Sequence, residues 1–431
     1  MIPRCMKRRL LVVTTLALAG CAHYTAQPLD PSRSAEALSS RQLSSGTWTL
    51  KALADEAVGN APEVAVARAQ YETARATIRT AGEMPNPTVA LTPQVVTPYT
   101  SLIAGTYGVD FDWTFETAGK RSRRLEQAHE NVRAAAARVV DATWKARVAV
   151  RKALLDLYAA ERRAKLLGDA IARQDELLKI IEDRVAAGSE SRAATALPRL
   201  LRAQLRLQSA DAEKAAGLAR AALAESLGMG TDGLANARFS FAAFERVPGA
   251  HLSHKREALT HRADVLAALA DYAAAEAALR LEIAKQYPDL HLGPGYQLDA
   301  GQNKWTLGVG LTLPILNQNR GPIAEAEGKR AEAAAKFNVV QAKVLADCDR
   351  ATAAYHAAIR KIATTDELLA AQDRQVAAEQ RLVDAGSGDK VALLSAQVDR
   401  ATILTARLDA QIELQAALGA LEDAMQLPLD Q

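Results

Sequence analysis

The stretch GVDFDWTFETAGKRSRR, residues 108–124, decides how this chain is read. From Val109 to Phe115 every second residue is apolar (Val109, Phe111, Trp113, Phe115), with Asp110, Asp112 and Thr114 between them. That is the period of a β-strand with one apolar face and one wet face. The pattern then changes at once. Gly119 is followed by Lys120, Arg121, Arg123 and Arg124, and a long Ala-rich run opens. A strand with an aromatic face thus runs directly into a charged helix, in a chain of which only 4% is aromatic.

The rest of the composition favours helix. The 431 residues are 49% hydrophobic and 24% charged, with a net charge of +3, and Ala dominates the apolar count. Ala with Leu, Glu, Gln, Lys and Arg supports long helices, and small side chains let helices pack closely. The near-neutral charge balance gives no reason to expect nucleic acid as a partner.

The N-terminal run MKRRLLVVTTLALAGC, residues 6–21, has a basic start (Lys7, Arg8, Arg9) and an apolar stretch from Leu10 to Ala19. The stretch is too short to span a bilayer and reads as a secretory signal over residues 1–20. The chain starts at Met1 or at Met6. Leu18-Ala19-Gly20-Cys21 resembles a bacterial lipobox, which implies cleavage before Cys21 and acylation of its sulfur. Ala22 follows rather than Asp, and by the same resemblance the mature lipoprotein is sorted to the outer membrane. Residues 21–47 are expected to form an extended, lipid-anchored segment. Cys348 is then the remaining thiol, expected as a small buried helix residue, so no disulfide framework is available.

The mature sequence is written twice. EVAVARAQYETARA (63–76) matches DVLAALADYAAAEA (264–277), placing Tyr71 on Tyr272. NPTVALTP (86–93) matches YPDLHLGP (287–294), GVDFDWTFETAGKR (108–121) matches GVGLTLPILNQNRG (308–321), and Gly188-Ser189 matches Gly386-Ser387. A nearly constant offset of about 200 residues marks a duplication. The expected copies are 48–228 and 252–431, joined by a packed linker at 229–251 partway along the helices. Each reads helix, strand, strand, helix, helix.

The strands are expected at 87–96, 106–116, 289–299 and 304–315. All alternate, and each is about as long as a transmembrane β-strand. Val109, Phe111, Trp113, Phe115, Trp305, Leu307, Val309, Leu311 and Leu313 are the expected lipid-facing positions. Asp110, Asp112, Glu116, Asp289 and Asp299 are the candidates for a water-filled lumen. The first helices are expected at about 48–81 and 252–285. The long helices, about 118–187 and 318–385, each reach roughly 105 Å, and the return helices, 190–228 and 389–426, about half of that. Two short helices stacked end to end match one long one. Pro198 is expected to kink its helix. Arg184, Gly188, Arg381, Asp384, Gly386, Asp389 and Lys390 gather at the far turns as candidates for contact with a partner. Four strands cannot close a barrel, and lipid leaves no edge unpaired, so other copies must complete it.

These features resemble the TolC-type outer-membrane factor family over nearly the whole mature chain. NAPEVAVARAQYETARATIRTAGEMPNP (60–87) resembles its first-helix motif, and LPILNQNRGPIAEAEG (313–328) its second post-strand segment. FETAGKRSRRLEQA (115–128) resembles the E-x-x-G-K-R segment of the CzcC heavy-metal efflux branch. The resemblance implies a homotrimer sharing a twelve-stranded barrel, a helical periplasmic tunnel, a periplasmic adaptor and an inner-membrane RND transporter. The implied function is an exit duct in the outer membrane, with divalent metal cations as first substrate and organic toxins or drugs as second. In several members Asp residues after the turn glycine form acidic rings that gate the pore. Those positions hold Ala392 and Ser395 here, so that gate does not carry over, and Asp389 or Asp384 is left to supply a weaker ring.

No catalytic set, phosphate loop or cofactor motif is visible. His251, His254 and His261 read as solvated or capping residues rather than metal ligands, for want of Cys or a second cluster. A periplasmic adaptor or structural coiled-coil lipoprotein is the rival reading; it lacks a use for a repeated, lipid-like strand pair.

Overall fold

The computed structural model describes residues 24–95, 105–246, 255–299 and 301–428. The expected leader 1–20, the acylation site Cys21, and His251 and His254 lie outside the described residues. The first half runs α1 (Pro31–Ser39), β1 (Gly46–Trp48), α2 (Leu50–Asn60), α3 (Pro62–Gly82), β2 (Thr88–Val95), β3 (Gly105–Phe115), α4 (Lys120–Ala186) and α5 (Ala196–Ser226). A connection with β4 (Ala237–Phe239) and α6 (Ala242–Glu245) leads to α7 (Lys255–His261) and α8 (Ala263–Ala284). Then follow β5 (Leu290–Asp299), β6 (Gln302–Leu311), α9 (Arg320–Asp384) and α10 (Lys390–Met425). No described helix is long and apolar enough to cross a membrane.

The order helix, strand, strand, helix, helix holds in both halves, with four local corrections. Each first helix is broken once. Ala61 and Arg262 are extended (ψ 127 and 144), and Pro62 takes the first position of α3, where its missing N–H costs nothing. Pro198 causes no kink. A 3₁₀ turn over Arg192–Thr195 delays the start of α5, so Pro198 is its third residue, within the turn whose donors have no helical acceptor. The segment before residue 47 is not wholly extended. Asp30 accepts from Ser32 N at 2.9 Å and Pro31 opens α1. The last strand stops at Leu311, so Leu313 is exposed but not on a strand. Leu311 pairs with Leu290, and the residues before Leu290 are Asp289, whose carboxylate is engaged elsewhere, and Pro288, which has no N–H to continue the ladder.

At the entry to each long helix the chain takes two successive left-handed residues: Ala118 (φ 54) with Gly119 (φ 70), and Gln318 (φ 48) with Asn319 (φ 53). The two turns lie at the same offset as the sequence repeat. Asn319 takes the strained conformation with its side chain held, donating from Nδ2 to Glu282 O at 2.7 Å.

α4, 67 residues and about 100 Å long, is the spine. On one side of it pack α3 and α5, on the other α8 and α10, and α9 lies beyond α8 and α10. The expected end-to-end stacking is therefore present twice. α3 with α5, and α8 with α10, each run the length of a long helix. The core is thin and Ala-rich. Its larger side chains gather where the stacked helices meet: Leu53, Val64, Val150, Leu154, Leu157, Leu223 and Phe244 in one cluster, and Val344, Cys348, Tyr355, Leu414 and Leu421 in the other. The connection near residues 231–246 is packed here, with β4 paired in parallel to β1 and Phe244 fully buried.

Candidate functional site

The four long strands form one antiparallel sheet in the order β2-β3-β5-β6, so the hairpins of the two halves join through β3 and β5. The register sorts the chemistry. Leu91, Val109, Tyr296 and Trp305 form one cross-strand row, and Phe115, Leu290 and Leu311 another. All large apolar positions fall on one face, where Leu91, Phe111, Trp113, Phe115, Trp305, Leu307, Val309 and Leu311 are exposed. Tyr296 packs on Trp305 (centroids 4.9 Å) near the loop end, and Trp113 on Phe115 (5.3 Å) near the helix end. Aromatics at both rims of an exposed apolar band match a lipid-facing strand surface.

The opposite face holds Asp110, Asp112 and Asp299, joined by Thr88, Thr92, Thr106, Thr114, His291, Lys304 and Thr306. Thr92 donates to Asp110 (3.2 Å), and Thr106 and Lys304 donate to Asp299 (2.9 and 2.6 Å). A Cβ at Gly295 would meet Asp110 Oδ1 at 2.4 Å and Thr306 Oγ1 at 2.5 Å, so those side chains would have to shift to admit one.

Glu116 and Asp289 have the same parity but sit at the mouth where strands become helices. Neither is free. Arg124 grips Glu116 with both Nη atoms, one at 2.8 Å, and also donates to the carbonyls of Ala81 and Glu83. Lys120, nearly buried, donates to Asp289 at 2.6 Å and to Tyr287 O at 2.7 Å, and Thr117 N donates to Asp289 at 2.9 Å. The cations after the opening strand thus close the joint between sheet and helix.

At the far end, Gly188 (φ 77) and Gly386 (φ 73) stop the long helices. Ser189 N returns to Arg184 O and Ser387 N to Leu382 O, the bonding of a left-handed C-terminal cap. Asp389 caps α10, accepting from Val391 N at 3.0 Å, and takes both ends of the Arg184 guanidinium at 2.5 and 3.0 Å. The Arg184 hydrogen bonds, aided by Val391 N, hold the Asp389 carboxyl below the usual range. Lys390 reaches Glu176 at 2.8 Å. Arg381 and Asp384 instead bond within α9, to Ala377 O and Gln380. Ala392 and Ser395 are exposed and uncharged. Asp389 is therefore a neutralised tie between the two halves, not a free anion for a ring.

Three groups were not anticipated. Arg262, buried at the α8–α10 joint, donates to Asp423 O (3.1 Å) and Ala424 O (2.7 Å) and pairs with Asp264 (2.7 Å). Burial alone would raise Asp264, but Arg262 outweighs it and the carboxyl lies below its usual range. At the α3–α5 joint Arg41 does the same work, donating to Gly228 O (3.1 Å) and Asn60 O (3.4 Å). Gln174 and Gln372 tie each hairpin. A Gln-Asp dipeptide recurring at the offset of the repeat was the available signal for them. Arg41 and Arg262 have no such signal, since they come from non-equivalent places in the two halves. His261, of the three histidines considered, hydrogen-bonds with Thr260 (2.8 Å), and no metal-binding cluster occurs among the described residues.

Residues 53–229 and 255–425 each match the family described as outer membrane efflux protein, so the two matches follow the two halves. The cobalt-zinc-cadmium resistance protein CzcC of Cupriavidus metallidurans is 26% identical over 283 residues, 65% of this chain and 66% of its own length, just under two thirds. The fold is similar to that of the outer membrane protein VceC from Vibrio cholerae (TM-score 0.73, 21% identity, 88% of this chain and 96% of that one). It is also similar to the Campylobacter jejuni CmeC outer membrane channel (TM-score 0.72, 14% identity, 94% and 93%).

Proposed function

This chain belongs to the outer membrane efflux protein family, and from that premise we propose that it is the exit duct of a tripartite RND-type efflux system, exporting divalent heavy-metal cations. The observation that carries the duct is the four-stranded sheet. One face is apolar and exposed, the other polar, and among the described residues its edge strands β2 and β6 each have one neighbour. In lipid an unpaired strand edge costs several kcal/mol per group, so β6 of one copy pairs with β2 of the next. Three copies give twelve strands, and the helical layer, open at α3/α5 and at α9, closes in the same way into a tunnel. The duct is anchored at Cys21 in the outer membrane. It takes substrate passively from a periplasmic adaptor and an inner-membrane RND transporter, which meet it at the turns around Gly188 and Gly386.

The metal assignment rests on the similarity to CzcC and on the E-x-x-G-K-R segment. Organic toxins or drugs are the second substrate class. The adaptor reading loses its ground, because the two hairpins join in one sheet within a chain of this family.

The test is extraction from purified outer membrane in mild detergent, with oligomer mass and then bilayer conductance measured. A detergent-dependent trimer that conducts is expected; a detergent-independent monomer of the Cys21→Ser protein would sink the duct. Unchanged tolerance to zinc, cobalt and cadmium in a deletion strain would remove the metal substrate alone.

A further inference from the structure

The polar strand face carries few charges, and most are cancelled in place. Asp299 is paired with Lys304, and at the mouth Asp289 with Lys120 and Glu116 with Arg124. Lys285, which shares the mouth cavity of about 430 Å³ with His291, is paired with Glu282. Among the described residues of this face, Asp110 and Asp112 are left without a cation. The loop residues 96–104 and 300 contain no charged side chain. With neutral histidine the face therefore presents two uncompensated negative charges per chain.

His291 holds one of these carboxylates in place. Its Nδ1 lies 3.2 Å from Asp112 Oδ2 and 3.2 Å from Thr114 Oγ1, both on β3. A carboxylate only accepts, so Nδ1 is the donor to Asp112. From β6 the residue opposite His291 is Gly310, which brings no charge.

We propose that Asp110 and Asp112 set the ion selectivity of the strand-lined part of the duct, as the two acidic groups of this face that no cation neutralises. The inference rests on the duct reading above. Each chain contributes these two negative charges to the lumen, and the strand-lined part prefers cations because of them.

The test is the reversal potential of the assembled protein in planar bilayers under a KCl gradient at neutral pH. Wild type is expected to prefer cations, and Asp110→Asn and Asp112→Asn each lower that preference by roughly twofold. Having two single variants keeps the assignment testable if one assembles poorly. Removing a neutralised pair together, with Asp299→Asn and Lys304→Gln, leaves the preference at the wild-type value. A preference unchanged in both Asp110→Asn and Asp112→Asn overturns the assignment while leaving the duct intact. A protein that forms no conducting pore overturns the duct reading and this inference with it.

Discussion

Gln174 and Gln372 hold the same post in the two halves of the chain. Each donates its side-chain amide across the hairpin to a backbone carbonyl, Gln174 to Pro198 O and Gln372 to Ala396 O, both at 2.9 Å. The neighbouring ion pairs repeat as well, with Asp175 facing Arg202 and Asp373 facing Arg400. Gene duplication thus preserved an interaction, not only a pattern of apolar residues. The long helix and its return helix are held in register by it.

Gln174→Leu removes the side-chain donor that reaches the Pro198 carbonyl in a buried site. A loss of about 0.5–1.5 kcal/mol is expected, read as a lower melting temperature in detergent. Gln372→Leu should cost less, because Gln372 is only half-buried.

Arg262→Ala removes the buried cation at the α8–α10 joint, leaving the Asp264 carboxylate without its cation and the Asp423 and Ala424 carbonyls without their guanidinium donor. About 3 kcal/mol of destabilisation is expected. Arg41→Ala at the other joint should cost nearer 1 kcal/mol, since Arg41 bonds carbonyls without a carboxylate partner. Equal losses in thermal melts of the two variants would contradict the distinction.

Asp264 and Asp389 both lie below the usual carboxylate range in the folded protein. Depressed acids contribute stability that is present above the unfolded value, about 4, and is lost as pH falls through the folded value. Wild type should therefore outlast Asp264→Asn at neutral pH, and the gap should close as pH falls below the usual carboxylate range. A gap that widens with acid would refute the sign.

Leu307→Arg places a charge on the apolar face and is expected to cost about 2–4 kcal/mol if that position meets the bilayer midplane. Loss of the oligomer from the outer-membrane fraction is the readout. Thr306→Arg, one residue away on the polar face, should assemble normally. Reversed outcomes would exchange the two faces of the sheet.

The sequence by itself determined the duplication, the two hairpins, the apolar strand face and the long paired helices. These are properties of period and length. Alternation from Val109 to Phe115 fixes which side chains share a face, and Gly188 and Gly386 fix where the helices stop. It did not show where Pro198 would fall within a turn, because a 3₁₀ segment shifts the helix start by a few residues without altering the apolar pattern. Above all it could not tell free charges from spent ones. Glu116, Asp289 and Asp389 look alike in the sequence to Asp110 and Asp112. Only the tertiary structure brings Lys120 to Asp289 across 169 residues and Arg184 to Asp389 across 205. Faces follow from local geometry, whereas the neutralisation of a charge depends on which distant cation the fold delivers to it.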